Sequence, residues 1–268
     1  GGGGGGGTPR TPAENRNKLG GKMANLLGNG YFFQGPIINA KDAECLKAVE
    51  VRSRAPIEVT RGRFHLWLND EYAKYNFTTA AQRQNHCDQS WQGVVKTIET
   101  QLREYAKPYF EHHGFGDKFN VTQLQLLVSR PGSENQFFHV DNTAASLTFV
   151  VALDDVAMDH GPTEILEGSY RLHDKHGQSR VFDYFFRNSV KVRHKPVHAT
   201  LQLGEMFCFD SRTLHRGGAN RHPDADRPVL IIRYDPKEHP PPGCGILCTM
   251  VWKQYGRLQE TLASLGIL

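Results

Sequence analysis

Apolar residues change their spacing along this chain, from a helical rhythm in the first part to short continuous runs in the second. In AKDAECLKAVEVR, Ala43, Leu46 and Val49 fall on one side of a helix. In SWQGVVKTIETQLREYAKPYFEHHG, Val94, Val95, Ile98, Leu102 and Tyr105 recur at helical spacing, and Gly114 marks the end. Met23 to Leu27 suggests a short helical lead-in, and Tyr31-Phe32-Phe33 opens the fold. The later runs are strand-like. VTQLQLLVS alternates in part, while AASLTFVVALDD (turning at Asp154-Asp155), Met206-Phe207-Cys208-Phe209, RPVLIIRY and ILCTMVW read as buried strands. Helices followed by many short strands predict a mainly β fold with bracing helices. The expected form is a double-stranded β-helix, the jelly-roll or cupin-like barrel. A barrel of this kind covers its sheet edges and leaves one mouth open to ligands.

Two stretches break the pattern. Gly1 to Gly21 is glycine-rich and polar, so residues 1–22 are expected as a disordered tail or linker and 23–268 as one domain. Arg171 to His198 is long and polar, and it reads as a lid docked by Phe182, Tyr184, Phe185 and Phe186. Its basic cluster (Arg187, Lys191, Arg193, His194, Lys195) reads first as a solvated face, and second as a handle for an anionic substrate group.

Composition narrows the classes further. Hydrophobic content of 38% and mean hydropathy of −0.52 suit a globular chain with polar loops. A net charge of +4 is only mildly basic and does not by itself imply nucleic acid. No apolar run approaches the roughly 18 residues that span a membrane. Five cysteines, odd in number and scattered, argue against a disulfide framework and for reduced thiols in an intracellular, cytoplasmic setting. The chain opens on Gly rather than Met, so an upstream targeting segment stays open.

Candidate chemistry sits in FFHVDN and in DSRTLHRGGANRHPDADRPVLIIRYD. His139 and Asp141 are two apart, so a strand would aim both at one point. The preceding Pro131-Gly132 turn would place them at the mouth of a sheet. His215 follows a buried strand and precedes Gly217-Gly218, which allows close backbone approach. Two imidazoles and one carboxylate are the facial ligand set of non-haem Fe(II) oxygenases. Arg227 opens the next apolar strand, where a charge is costly unless paired, and its planar fork suits a carboxylate. Zinc competes for any His/Asp set, but a closed zinc site usually adds cysteines, and neither stretch has one beside these residues in ligand spacing.

Four segments together resemble the phytanoyl-CoA dioxygenase family within the 2-oxoglutarate oxygenases. They are GNGYFFQGPIINAKDAECLKAVE, SRPGSENQFFHVD, LTFVVALDDVAMDHGPTEILEGSYRLH and HRGGANRHPDADRPVLIIRYD. The resemblance runs from about Gly30 onward. It implies iron ligands at His139, Asp141 and His215 and a co-substrate carboxylate partner at Arg227. Tyr170 and Glu167 depart from the family pattern, in a loop expected to border the pocket. The implied activity is an Fe(II)- and 2-oxoglutarate-dependent dioxygenase. It would use O2 to hydroxylate a small-molecule or lipid-like substrate, releasing succinate and CO2. Thr148 and Gln125 are further candidates to hold 2-oxoglutarate. The alternatives are a non-catalytic cupin-type module that binds a metal and a ligand, and a metal-dependent isomerase or lyase on the same barrel.

Overall fold

Strand β4 (Phe119–Ser129) shows why the later part of the chain reads as buried on both sides. Its alternate residues Leu124, Leu126 and Val128 join one apolar cluster, while Leu127 joins a second on the opposite face. The first cluster lies between the sheet and the helices; the second fills the space between two sheets. Such a strand shows no polar face, so period-two alternation is muted.

The computed structural model describes residues 12–52, 57–68, 91–136, 138–172 and 196–239, with the isolated positions 261 and 265. The body of the expected lid (173–195), the strand ILCTMVW, and Cys87, Cys244 and Cys248 lie outside the described residues. The helices are α1 (Pro12–Asn29), α2 (Ala40–Arg52) and α3 (Gln92–His112). The remaining strands are β1 (Tyr31–Gln34), β2 (Ile57–Thr60), β3 (Arg63–Trp67), β5 (Leu147–Ala152), β6 (Thr163–Leu166), β7 (Pro196–Ala199), β8 (Met206–Asp210), β9 (His215–Gly217) and β10 (Arg227–Pro236). One sheet runs β1-β8-β5-β10-β4-β3-β2 and the other β7-β6-β9, with antiparallel pairing throughout. This is the mainly β, jelly-roll-like architecture expected from the strand pattern.

Helix α3 braces the larger sheet through Val95, Ile98, Leu102, Ala106, Tyr109 and Phe110. Val94 and Tyr105, expected on the same face, pack at its margin. Gly114 ends the helix at φ 82°, a left-handed conformation that costs glycine little. Truncating a residue such as Leu102 to Ala would cost about 2–5 kcal/mol.

Helix α1 departs from expectation. It begins at Pro12, so residues 12–22 are helical rather than irregular. Proline suits a first helical turn, and the stretch after it is rich in helix formers. Gly20 and Gly21 cost about 1 kcal/mol each, but the helix continues to Leu26, which is fully buried in the helix-side core.

Candidate metal and co-substrate site

Backbone pairing builds the first part of the site. The His139 N–H donates to the His215 carbonyl at 2.9 Å and the His215 N–H returns the bond at 2.9 Å, an isolated antiparallel bridge. The two imidazoles therefore face each other, with ring centroids 4.4 Å apart. His139 forms this one isolated bridge and Asp141 lies two residues beyond it, so neither belongs to a regular strand, unlike the expected pair. The Asp141 N–H donates to the Ser211 carbonyl at 3.0 Å, which keeps its side chain with the histidines. One ligand atom from each of His139, Asp141 and His215 lies within 4.8 Å of the others. Among the described residues this is the one group of His, Cys, Asp and Glu so gathered.

Neighbours orient these groups. His215 Nδ1 lies 3.0 Å from the Thr213 carbonyl, which can only accept, so Nδ1 carries the proton and Nε2 keeps its lone pair. Burial pushes this imidazole down to about 4, against the pull of Asp141, so it is neutral at physiological pH. The Thr148 hydroxyl donates to Asp141 Oδ2 at 2.7 Å and lies 2.9 Å from the Ser211 hydroxyl. Arg233 Nη1 stands 3.6 Å from Asp141 Oδ1, while its Nε donates to Asp235 at 3.0 Å. Burial alone would raise the Asp141 carboxyl. His215, Arg233, His139 and the Thr148 hydrogen bond outweigh it and hold the group below its usual range.

One cavity is lined by the triad together with Thr148, Gln125 and Arg227. All six residues singled out in the sequence thus come to one place. Their contacts differ from the expected roles in one respect. Thr148, expected beside a co-substrate, is engaged with the carboxylate of Asp141. Gln125 Oε1 is buried without a partner.

Arg227 is 1% exposed. Its Nη1 donates to the Gly161 carbonyl and its Nη2 to Ser129 Oγ at 2.9 Å, while Nε has no partner. No carboxylate contacts it among the described residues. Burial, then the nearby Arg63, push the guanidinium down to about 9, so it stays cationic at neutral pH.

Arg63 is wholly buried, and its spacing in the sequence does not signal it. It donates to Ser129 Oγ at 2.7 Å and to the carbonyls of Glu134, Gly217 and Gly218. A Cβ at Gly217 would come within 2.5 Å of Arg63 Nη1, so the close approach expected at Gly217 is to this guanidinium. The available signal was the alternation of Arg63 and His65 with Phe64 and Leu66 in one short strand. Tyr170 is not part of the cavity wall. Its hydroxyl donates to the Leu27 carbonyl at 2.8 Å, and its ring sits where a Cβ on Gly30 would be (2.7 Å).

Residues 82–229 match the family model described as Phytanoyl-CoA dioxygenase. Dioxygenase aneA of Aspergillus aculeatus is 23% identical over 144 residues, covering 49% of this chain and 44% of that protein. Dioxygenase easH of Epichloe festucae var. lolii is 25% identical over 118 residues, covering 40% of this chain and 57% of that protein. The chain spans about half the length of these curated relatives. In three dimensions it is similar to the epimerase SnoN from nogalamycin biosynthesis, solved with Fe3+, alpha ketoglutarate and nogalamycin RO. The TM-score is 0.59 at 16% identity, over 82% of this chain and 84% of that one, a likeness of fold. No helix among the described residues is long and apolar enough to cross a membrane. The family model takes in more than half of the sequence, and the chain belongs to the phytanoyl-CoA dioxygenase family.

Proposed function

We propose that this protein is an Fe(II)- and 2-oxoglutarate-dependent dioxygenase that hydroxylates a small-molecule or lipid-like substrate. One observation carries the reading. A two-histidine, one-carboxylate cluster shares its cavity with a buried arginine that has no carboxylate partner. The donor set fits the metal. Two imidazoles and one carboxylate suit Fe(II) and leave coordination positions for other ligands. When bound, iron and 2-oxoglutarate would supply the oxidising chemistry with O2, ending in succinate and CO2.

The protein's own part is positioning. His139, Asp141 and His215 would hold the metal, with Thr148 and the Thr213 carbonyl fixing Asp141 and His215 in turn. Arg227 would take the distal carboxylate of 2-oxoglutarate, which supplies the anion its burial lacks. Gln125, with an unpartnered buried oxygen, is a further wall of that pocket. The curated relatives carry the name dioxygenase and SnoN the name epimerase, so product analysis distinguishes hydroxylation from other oxidative outcomes.

The test is anaerobic reconstitution with Fe(II), followed by 2-oxoglutarate, while watching for a visible metal-to-ligand charge-transfer band. The expected band appears in the wild type and is lost in His215→Ala. Bound iron with no band would overturn the co-substrate assignment and favour a metal-binding module or an isomerase.

A further inference from the structure

We propose that Arg63 is a positioning residue for the distal carboxylate of the co-substrate, acting on Arg227 through the Ser129 hydroxyl. This inference rests on the 2-oxoglutarate reading above.

Three strands place the residues side by side. Ser129 on β4 pairs with Arg227 on β10 along one edge and with Arg63 on β3 along the other. A hydroxyl oxygen has two lone pairs. Both face guanidinium donors, Arg63 Nη1 at 2.7 Å and Arg227 Nη2 at 2.9 Å. Ser129 is fully buried, so no water competes for its oxygen. Arg63 is equally fixed, because its other N–H groups go to the carbonyls of Glu134, Gly217 and Gly218. The chain Arg63–Ser129–Arg227, with the Gly161 carbonyl on Nη1, sets the plane of the Arg227 fork. It leaves Arg227 Nε, buried and unpartnered, as a donor still to be used.

Charge points the same way. Two buried cations bonded to one oxygen repel each other, and no described carboxylate neutralises either. A carboxylate entering beside Arg227 interacts favourably with both charges, whereas an apolar chain end gains nothing from them. Arg63 therefore adds selectivity for dicarboxylates even though its own donors are occupied.

The test measures affinities of the Ni(II)-loaded protein by calorimetry for 2-oxoglutarate and for 2-oxovalerate. The second compound keeps the 2-oxo acid head but ends in a methyl group where the first has a carboxylate. Ser129→Ala and Arg63→Met should each raise the Kd for 2-oxoglutarate about tenfold, the effect of losing one charge-assisted contact, with little change for 2-oxovalerate. Arg63→Lys, which keeps the charge without the fork, should lose less than Arg63→Met. If Arg63→Met does not fold, Ser129→Ala decides. Equal weakening of both ligands would indicate a purely structural role and overturn the proposal. So would an unchanged preference in these variants while Arg227→Met abolishes it. A wild type with no preference for 2-oxoglutarate would instead overturn the co-substrate reading itself.

Discussion

The two ends of the cavity are built on opposite electrostatic plans. At the metal end, charges alternate in sign within the protein. Asp141 faces Arg233, Arg233 faces Asp235, and Asp235 accepts from Thr122 and from the Asn142 amide. The carboxylate is ionised and oriented before any metal arrives. At the other end, Arg63 and Arg227 share Ser129 with no anion between them. The first end balances its own charges and lacks only a cation to join its lone pairs. The second carries uncompensated positive charge, which is unfavourable until an anion binds. A cavity with these ends suits a ligand pair of opposite character, a metal at one end and a carboxylate at the other.

Removing a metal ligand should do the most damage. Asp141→Ala or His215→Ala should lower metal affinity by more than about 100-fold, the upper range for changes outside the ligand shell. Metal titration under anaerobic conditions checks this, and retained stoichiometric binding would displace the triad from its assigned role. Next comes Arg227→Met, which should raise the 2-oxoglutarate requirement about 100-fold while leaving metal affinity near that of the wild type. An unchanged requirement would transfer the carboxylate to another cation. Arg233 is poorly placed for that duty, because Asp235 and Asp141 already engage it. Thr148→Val should fall below both. It removes the bond to Asp141 Oδ2 and leaves the carboxylate in place, so metal affinity should drop about tenfold. If Thr148→Val instead raised the 2-oxoglutarate requirement alone, Thr148 would belong with the arginine end.

The ends also differ in how far the sequence revealed them. His139 and Asp141 are near neighbours, and the turn before them is written in Pro131-Gly132. His215 is marked by the glycines after it, and Arg227 by the cost of a charge on an apolar strand. Each of these signals is local. Arg63 has no local signal of comparable strength, because its role exists only once β3 lies against β4 and Ser129 comes between two guanidinium groups. Thr148 lines the cavity as expected, but its bond to Asp141 was not foreseen, since strand alternation predicts a face and cannot identify what meets it. The same limit applied to the fold. Strands β4, β5, β8 and β10 and helices α2 and α3 were legible from spacing, whereas β2, β3, β6 and β7 were not, and the start of α1 was hidden by its glycines, whose helical cost is offset by tertiary packing that a sequence does not display.

His65 offers the finest probe of the contrast, because it lies on β3 two positions from Arg63 and lines the same cavity. Burial, then the charge of Arg63, push its imidazole down to about 4. In the unfolded chain the same group titrates near 6.5. Between these values the unfolded state binds a proton that the folded state refuses. Stability from His65 is therefore fully present above pH of about 6.5 and is lost as pH falls toward 4. Between pH 7 and pH 5 the metal-free protein should lose about 2 kcal/mol from this group. His65→Gln should lack that part of the loss, which denaturant unfolding of both proteins at the two pH values would detect. Arg63→Lys should keep most of it, since the neighbouring positive charge remains. Parallel pH dependence in wild type and His65→Gln would mean that His65 accepts a proton without penalty, and that the positive field of the arginine end does not extend two residues along its own strand.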